Sequence, residues 1–356
     1  MVNHASKVTV RRRRVFYAIL IVFNVTLVAL SYFYVTNNFS ILIHRKHAPA
    51  VFAEDLANLR LETPDADEVA YFDPRKPHPY VGYKSQPLSL SSFGYYQVET
   101  NSLGHRSPEL GRKEAGVKRI AIVGGSVAFQ GAHNDTTIVA KIAQLAENDG
   151  HRVEYINAAI ISGISDQELA IFVHDLLDLD VDLLIALNGV NDIIHILHYN
   201  GRVGWPPFRW DPPVHHENPQ LDQQVPSYYP PIPPEPMISQ EKMRAVLSNY
   251  VGNVSKMAAI AEAFDVKFLG VLQPMRDFVA EEDTSQALDP LSAFYNEVVQ
   301  RFSSWDEEKH AGNYISIADF FANKRDRFID PFHFKDEGNQ EVAEYLYRVI
   351  KTRRLL

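Results

Sequence analysis

The chain has 356 residues, 46% of them hydrophobic and 22% charged, a globular composition long enough for one large domain or two modest ones. Its formal net charge of −9 leaves no broad basic surface to track a nucleic-acid backbone, so no nucleic-acid partner is expected. There is no cysteine, which removes disulfides, thiolate nucleophiles and zinc–thiolate centres together.

The N-terminus departs from this pattern. Lys7 and the run Arg11, Arg12, Arg13 and Arg14 precede residues 15–35, which are apolar except for Asn24, Thr26 and Ser31. About 20 such residues cross the hydrocarbon core as a helix. A cleaved signal peptide has a shorter apolar region ending in small residues, whereas Tyr32, Phe33 and Tyr34 close this one like an interfacial aromatic belt. The segment therefore reads as an uncleaved single-pass anchor, with the membrane as a partner. The excess of basic residues before it puts residues 1–14 in the cytoplasm and the rest of the chain on the periplasmic, extracellular or lumenal side.

Residues 36–68 are weakly periodic and read as a stalk, with a short helix expected over 53–60. Residues 69–117 are rich in aromatic and turn residues, including the run from His78 to Tyr83 and that from Asn101 to Arg106, and predict short strands and loops packed on the main domain. The regular part spans 118–356. A short apolar run at 119–123 halted by Gly124 and Gly125 predicts a buried strand, which leaves Ser126 just past its end. A helix over 136–147 and a strand over 153–156 follow. Ser165 with Glu168 three residues on reads as a capping box opening the next helix. A third strand, 183–187, runs into Asn188, Gly189, Val190 and Asn191. Helix 240–264 leads to strand 266–272, helix 291–304 leads to strand 314–317, and a last helix begins near Asp336.

Strands alternating with helices predict βαβ units in a five-stranded parallel sheet covered on both faces, with function at the carboxyl ends of the strands. The proline- and aromatic-rich insert 201–236, containing Trp205, Trp210, Tyr228 and Tyr229, is too long for a simple connection. It reads as a lid or substrate wall.

The special residues fall at strand ends. A serine hydroxyl needs an adjacent base, itself oriented by a third group, and glycines before Ser126 let the backbone turn sharply and expose Oγ. His333 suits proton transfer near neutrality. Asp330, three residues upstream and constrained by Pro331, can reach its Nδ1–H. Gly163 can bring a backbone N–H to an oxyanion without a side chain in the way, and Asn191 offers a side-chain amide.

Ser126, Gly163, Asn191 and the Asp330/His333 pair resemble, in this order, the four blocks of the SGNH (GDSL-like) hydrolase family, from about residue 118 to the C-terminus. The resemblance implies a flavodoxin-like three-layer α/β/α fold and hydrolysis of ester or related acyl bonds. It also implies an oxyanion hole formed by the serine N–H, the glycine N–H and the asparagine side chain. Two departures stand out. The family's Gly-Asp-Ser is Gly124-Gly125-Ser126 here, and the segment from Asn157 to Gly163 is one residue longer than the commonest spacing.

A Ser/His/Asp mechanism needs no metal or cofactor, and neither His195 with His198 nor the His215-His216 pair has an acidic residue at a convincing ligand spacing. The substrate expected is an acylated carbohydrate, through aromatic stacking in the insert, or another ester. Transfer of the acyl group to a sugar hydroxyl and a catalytically silent binding or scaffold role are the alternatives.

Overall fold

The computed structural model describes residues 75–93, 96–199, 202–206, 238–276, 278, 289–308 and 314–356. The anchor 15–35, the stalk with its expected helix, and most of the insert lie outside the described residues. Among the described residues, no helix is long and apolar enough to cross a membrane.

Two short antiparallel hairpins come first: β1 (Arg75–His78) with β2 (Gly82–Ser85), and β3 (Leu90–Phe93) with β4 (Tyr96–Glu99). The regular domain follows as β5 (Val117–Gly124), the one-turn α1 (Ser126–Phe129), α2 (Ile138–Asn148), β6 (Arg152–Asn157), α3 (Ser165–Ile171) and β7 (Leu183–Asn188). It continues through α4 (Val190–Tyr199), α5 (Gln240–Ala263), β8 (Lys267–Leu272), α6 (Pro290–Glu308), β9 (Tyr314–Ser316) and α7 (Asp336–Thr352).

Strands β5 to β9 form one five-stranded sheet in the order β6-β5-β7-β8-β9, every pair parallel. Numbered along the domain this is 2-1-3-4-5, the flavodoxin-like doubly wound order. The near-continuous apolar runs of β5, β7 and β8 follow from burial on both faces. Successive residues then divide between two cores. Ile120, Ile122, Leu183, Ile185, Leu187, Leu269 and Val271 pack with Ile138 and Ile142 of α2 and with Val342, Leu346 and Ile350 of α7. Ala121, Val123, Leu184, Ala186, Phe268 and Leu272 pack with Ile171 of α3, Val254 and Met257 of α5, and Phe294 and Val298 of α6. The sheet is thus the middle layer of three.

One expectation changes. Ser165 is not a cap: it is the first residue of α3, and its hydroxyl donates to Asp192 Oδ1 at 2.6 Å. Glu168 is buried and accepts from the Asn188 side chain, so both members of the expected capping box are turned inward. Helix α4, where the sequence carried no expectation, starts two residues past β7.

The second hairpin is held to the domain by Arg106, which is fully buried. Its guanidinium donates to Phe129 O at 2.7 Å, Gly131 O at 2.8 Å, Gln97 O at 2.9 Å and Asn134 Oδ1 at 2.9 Å. It thereby ties β4 to the loop that follows α1. Truncating it leaves several buried acceptors unpaired, at about 1–3 kcal/mol each. Arg106→Ala is expected to lower unfolding stability by at least ~3 kcal/mol in urea titrations, and a change under ~1 kcal/mol would show that the hairpin is not anchored this way.

Candidate active site

Strand β5 ends at Gly124, whose backbone lies so close to β7 that a Cβ there would stand 2.2 Å from Leu187 O and 2.6 Å from Ala128 Cβ. The chain turns at Gly125 and enters α1 with Ser126 as its first residue. The Ser126 N–H, at a helix start, has no intrahelical acceptor and none among the described residues.

The second element is the loop between β9 and α7. Ile329 N donates to His333 O at 2.8 Å and Lys335 N to Arg327 O at 2.9 Å, closing the loop on itself. Phe328 and Phe334 pair at its base and pack edge-on against each other and against Phe321, with centroids 5.2–5.5 Å apart. Arg276 N donates to Pro331 O at 2.9 Å, pinning the tip to the segment after β8.

The closed loop presents Asp330 and His333 on one side. Asp330 Oδ1 accepts from the amides of Phe332 (2.8 Å) and His333 (2.9 Å), and Oδ2 lies 2.6 Å from His333 Nδ1. Burial acts to raise the Asp330 pKa, but those two amides and the imidazole outweigh it and hold the carboxyl below its usual range. Because an ionised carboxylate only accepts, Nδ1 carries a proton and Nε2 faces Ser126 Oγ at 2.7 Å. Serine, histidine and aspartate are therefore in hydrogen-bonded sequence.

The third element is the loop after β6. Ala158 N donates to Ile122 O at 2.9 Å and Ile160 N to Gly124 O at 3.0 Å, running it beside the end of β5. Gly163 comes next to Gly125, but its N–H, expected to face an oxyanion, instead donates to Ile160 O at 2.9 Å. Its carbonyl accepts from Asn191 Nδ2 at 2.8 Å. The Asn191 amide has a second N–H beyond this bond. It lies over Gly125: a Cβ built there would stand 2.3 Å from Asn191 Nδ2 and 3.4 Å from Gly163 O. All five residues singled out in the sequence thus converge, Gly163 through its carbonyl.

Sequence reasoning missed the support beneath. Asp192, next to Asn191, accepts from Ser165 N as well as from its hydroxyl, and Asn253 Nδ2 donates to Ser165 Oγ at 3.1 Å. Asn188 at the end of β7 links Glu168 to Tyr250, whose hydroxyl donates to Asn188 Oδ1 at 2.8 Å. Buried polar groups are mostly paired, and in this network, where only Glu168 Oε1 lacks a hydrogen-bond partner among the described residues, the bonds from Asp192 and Asn188 fix the start of α4. His195, weighed in the sequence only as a metal ligand, has Nε2 3.1 Å from Ser162 O. Tyr83, part of an aromatic run, donates its hydroxyl to the same carbonyl at 2.8 Å. No group of three metal-ligating side chains lies together among the described residues.

No protein-family model matches the chain, and no curated protein matches it. Among solved structures it is similar to a variant of an acetyl-xylooligosaccharide esterase from Geobacillus Stearmophilus, at 14% identity over 65% of this chain and 94% of that one, with a TM-score of 0.42. It is also similar to a GDSL-like lipase from Bacteroides thetaiotaomicron (14%, 68% and 93%, TM-score 0.41). A third is the lipase/acylhydrolase from Enterococcus faecalis (15%, 66% and 96%, TM-score 0.40).

Two outcomes follow from the site's packing. Gly125→Ala places a methyl group in the space of the Asn191 amide, so a crystal structure of the variant should show that amide displaced from Gly163 O, with stability lower by about 1–3 kcal/mol. An unmoved Asn191 would contradict the crowding. The second concerns Asp192, whose carboxyl burial raises from 3.8 to about 7, with Asp166 adding and the Ser165 hydrogen bonds opposing. The folded state then holds a proton that the unfolded chain has released, so this group's contribution to stability falls as pH rises from about 4 to about 7, by at most ~1.4 kcal/mol per pH unit. Asp192→Asn keeps an acceptor for Ser165 and removes the titration. In urea denaturation wild type should lose stability relative to Asp192→Asn as pH rises across that window, and parallel pH dependences would refute the assignment.

Proposed function

We propose that this chain is a serine esterase of the SGNH type, working through an acyl-enzyme. The single observation that carries the reading is the hydrogen-bonded sequence from Ser126 Oγ to His333 Nε2 and from His333 Nδ1 to Asp330. Ser126 Oγ attacks the ester carbonyl while Nε2 takes its proton. Asp330 keeps the imidazole in the required tautomer and stabilises the imidazolium that forms. The carbonyl oxygen becomes an oxyanion, received by the Ser126 N–H and the spare N–H of Asn191. The imidazolium then protonates the departing alkoxide, leaving Ser126 acylated. Water, deprotonated by His333, adds to the acyl carbon, and Ser126 Oγ leaves with the returned proton as the free acid forms.

The substrate proposed is an O-acyl, in particular O-acetyl, ester on carbohydrate outside the cytoplasm. Two features support this finer reading. The apolar segment 15–35 follows a basic cluster, as a tether with an outward-facing domain requires. The insert 201–236 is rich in aromatic residues, among them Trp205, Trp210, Tyr228 and Tyr229, whose rings suit stacking on sugars.

Full-length protein in detergent should hydrolyse p-nitrophenyl acetate and react with a fluorophosphonate probe at Ser126. Ser126→Ala should lower kcat by about 10,000-fold or more and abolish labelling. Equal rates for the two proteins would end the serine-esterase reading. With an acetylated oligosaccharide, release of acetate fits hydrolysis, whereas acetyl transfer to an added glycan would overturn water as the acceptor.

A further inference from the structure

Helix α4 grips the loop after β6 at two successive carbonyls. Asn191 and His195 are four residues apart and so lie on one face of α4, one turn from each other. Asn191 Nδ2 donates to Gly163 O at 2.8 Å, and His195 Nε2 lies 3.1 Å from Ser162 O. A carbonyl only accepts, so this Nε2 carries a proton. From the other side, Tyr83 of β2 donates its hydroxyl to the same Ser162 oxygen at 2.8 Å.

Ser162 is held in a backbone conformation that its side chain disfavours, with φ of 61°. A non-glycine residue persists there only when its surroundings over-determine it. The Ser162–Gly163 peptide is fixed at its carbonyl by Tyr83 and His195 and at its N–H by Ile160 O, 2.9 Å away. Tyr83 and His195 are both buried, where a satisfied hydrogen bond rigidifies most.

We propose that Tyr83 and His195 are positioning residues for the oxyanion site, acting through the Ser162 carbonyl on Gly163 and from there on the amide of Asn191. Gly163 O is the acceptor that orients this amide over Gly125. If the peptide before it rocks, Asn191 loses the acceptor that aims its second N–H beside Ser126. The hairpin β1–β2, which precedes the sheet domain, becomes part of the catalytic apparatus: its Tyr83 reaches the site's loop directly, and Val81 O accepts from Gln167 Nε2 of α3 at 2.8 Å, seating the hairpin. Both residues act through another group, the Ser162 carbonyl.

This inference rests on the serine-esterase reading, and the test separates the two. In full-length protein, Tyr83→Phe should lower kcat for p-nitrophenyl acetate about fivefold with KM within twofold of wild type. Tyr83→Phe combined with His195→Leu should lower it about 100-fold. The affinity of a boronic acid, which forms a tetrahedral adduct on Ser126, should weaken in the same proportion, a readout that a merely structural loss would not move selectively. His195→Gln, which retains a donor, should recover most of the activity that His195→Leu loses. Unchanged kcat in Tyr83→Phe, or equal activity in the two His195 variants, would overturn the proposal while leaving the esterase reading intact. Absence of fluorophosphonate labelling in the wild type would instead remove the reading on which it stands. If Tyr83→Phe does not fold, the two His195 variants decide the matter alone.

Discussion

The direction in which the chain leaves β5 constrains everything else. From β5 it crosses to β6 on one side; from β6 it returns past β5 to β7 and moves on through β8 to β9. Parallel crossovers are right-handed almost without exception, so opposite directions put the connecting helices on opposite faces. Helix α2 accordingly packs on one face of the sheet, and α3, α5 and α6 pack on the other. Between the ends of β5 and β7 the helices diverge, and a crevice opens at this switch point. Ser126 stands at the end of β5 and Asn191 at the end of β7, so the strand order itself sets them side by side.

His333 arrives from a far greater separation, 207 residues along the chain from Ser126, and it is held there by packing rather than by sequence proximity. Helix α7 returns to the face covered by α2. Its first turns bind the segment after Ser126: Asp336 Oδ1 accepts from Ala132 N at 3.2 Å, and Asn339 Oδ1 accepts from Gln130 Nε2 at 3.0 Å. Gln130 and Asn339 are both buried, so their mutual bond carries the cost of being unmade. The histidine loop and the serine turn are therefore two ends of one clamp. A 2.7 Å contact between their side chains is what such a clamp can hold, because interiors are close-packed and do not deform continuously.

Much of this was legible in the sequence. The strands β5, β7 and β8 were legible because burial on both faces imposes a near-continuous apolar signature, whereas the edge strands β6 and β9, half-exposed and mixed in composition, were legible from their place between helical stretches. Ser126, Asp330 and His333 were legible because a hydroxyl just past a strand, and a carboxylate three residues before an imidazole, form the pattern that a serine mechanism would use. What escaped has physical reasons. Helix α4 begins two residues past β7, and its first residues belong to a recognisable turn, which masks the helical period. Ser165 and Glu168 have the spacing of a capping box, but local pattern cannot tell a side chain folded back on its own helix from one drawn into a buried network with Asp192 and Asn188. His195 and Tyr83 carry no motif at all. Their role exists only because one carbonyl, 79 residues from Tyr83 and 33 from His195, lies within reach of both.

The two departures from the family pattern meet at one place. Gly125 stands where an aspartate is common, and the segment from Asn157 to Gly163 is one residue long. Taken separately, each weakens the resemblance. In three dimensions the extended loop turns the Gly163 N–H back to Ile160 O and its carbonyl toward Asn191. The amide of Asn191 then occupies the space that a side chain at 125 would fill, and the carbonyl of Gly163 closes the same space from the other side. A side chain at 125 could enter this space only by displacing the Asn191 amide. Gly125 and the course of this loop are thus one packing arrangement, in which a side-chain amide leans over the serine turn and a glycine leaves it room.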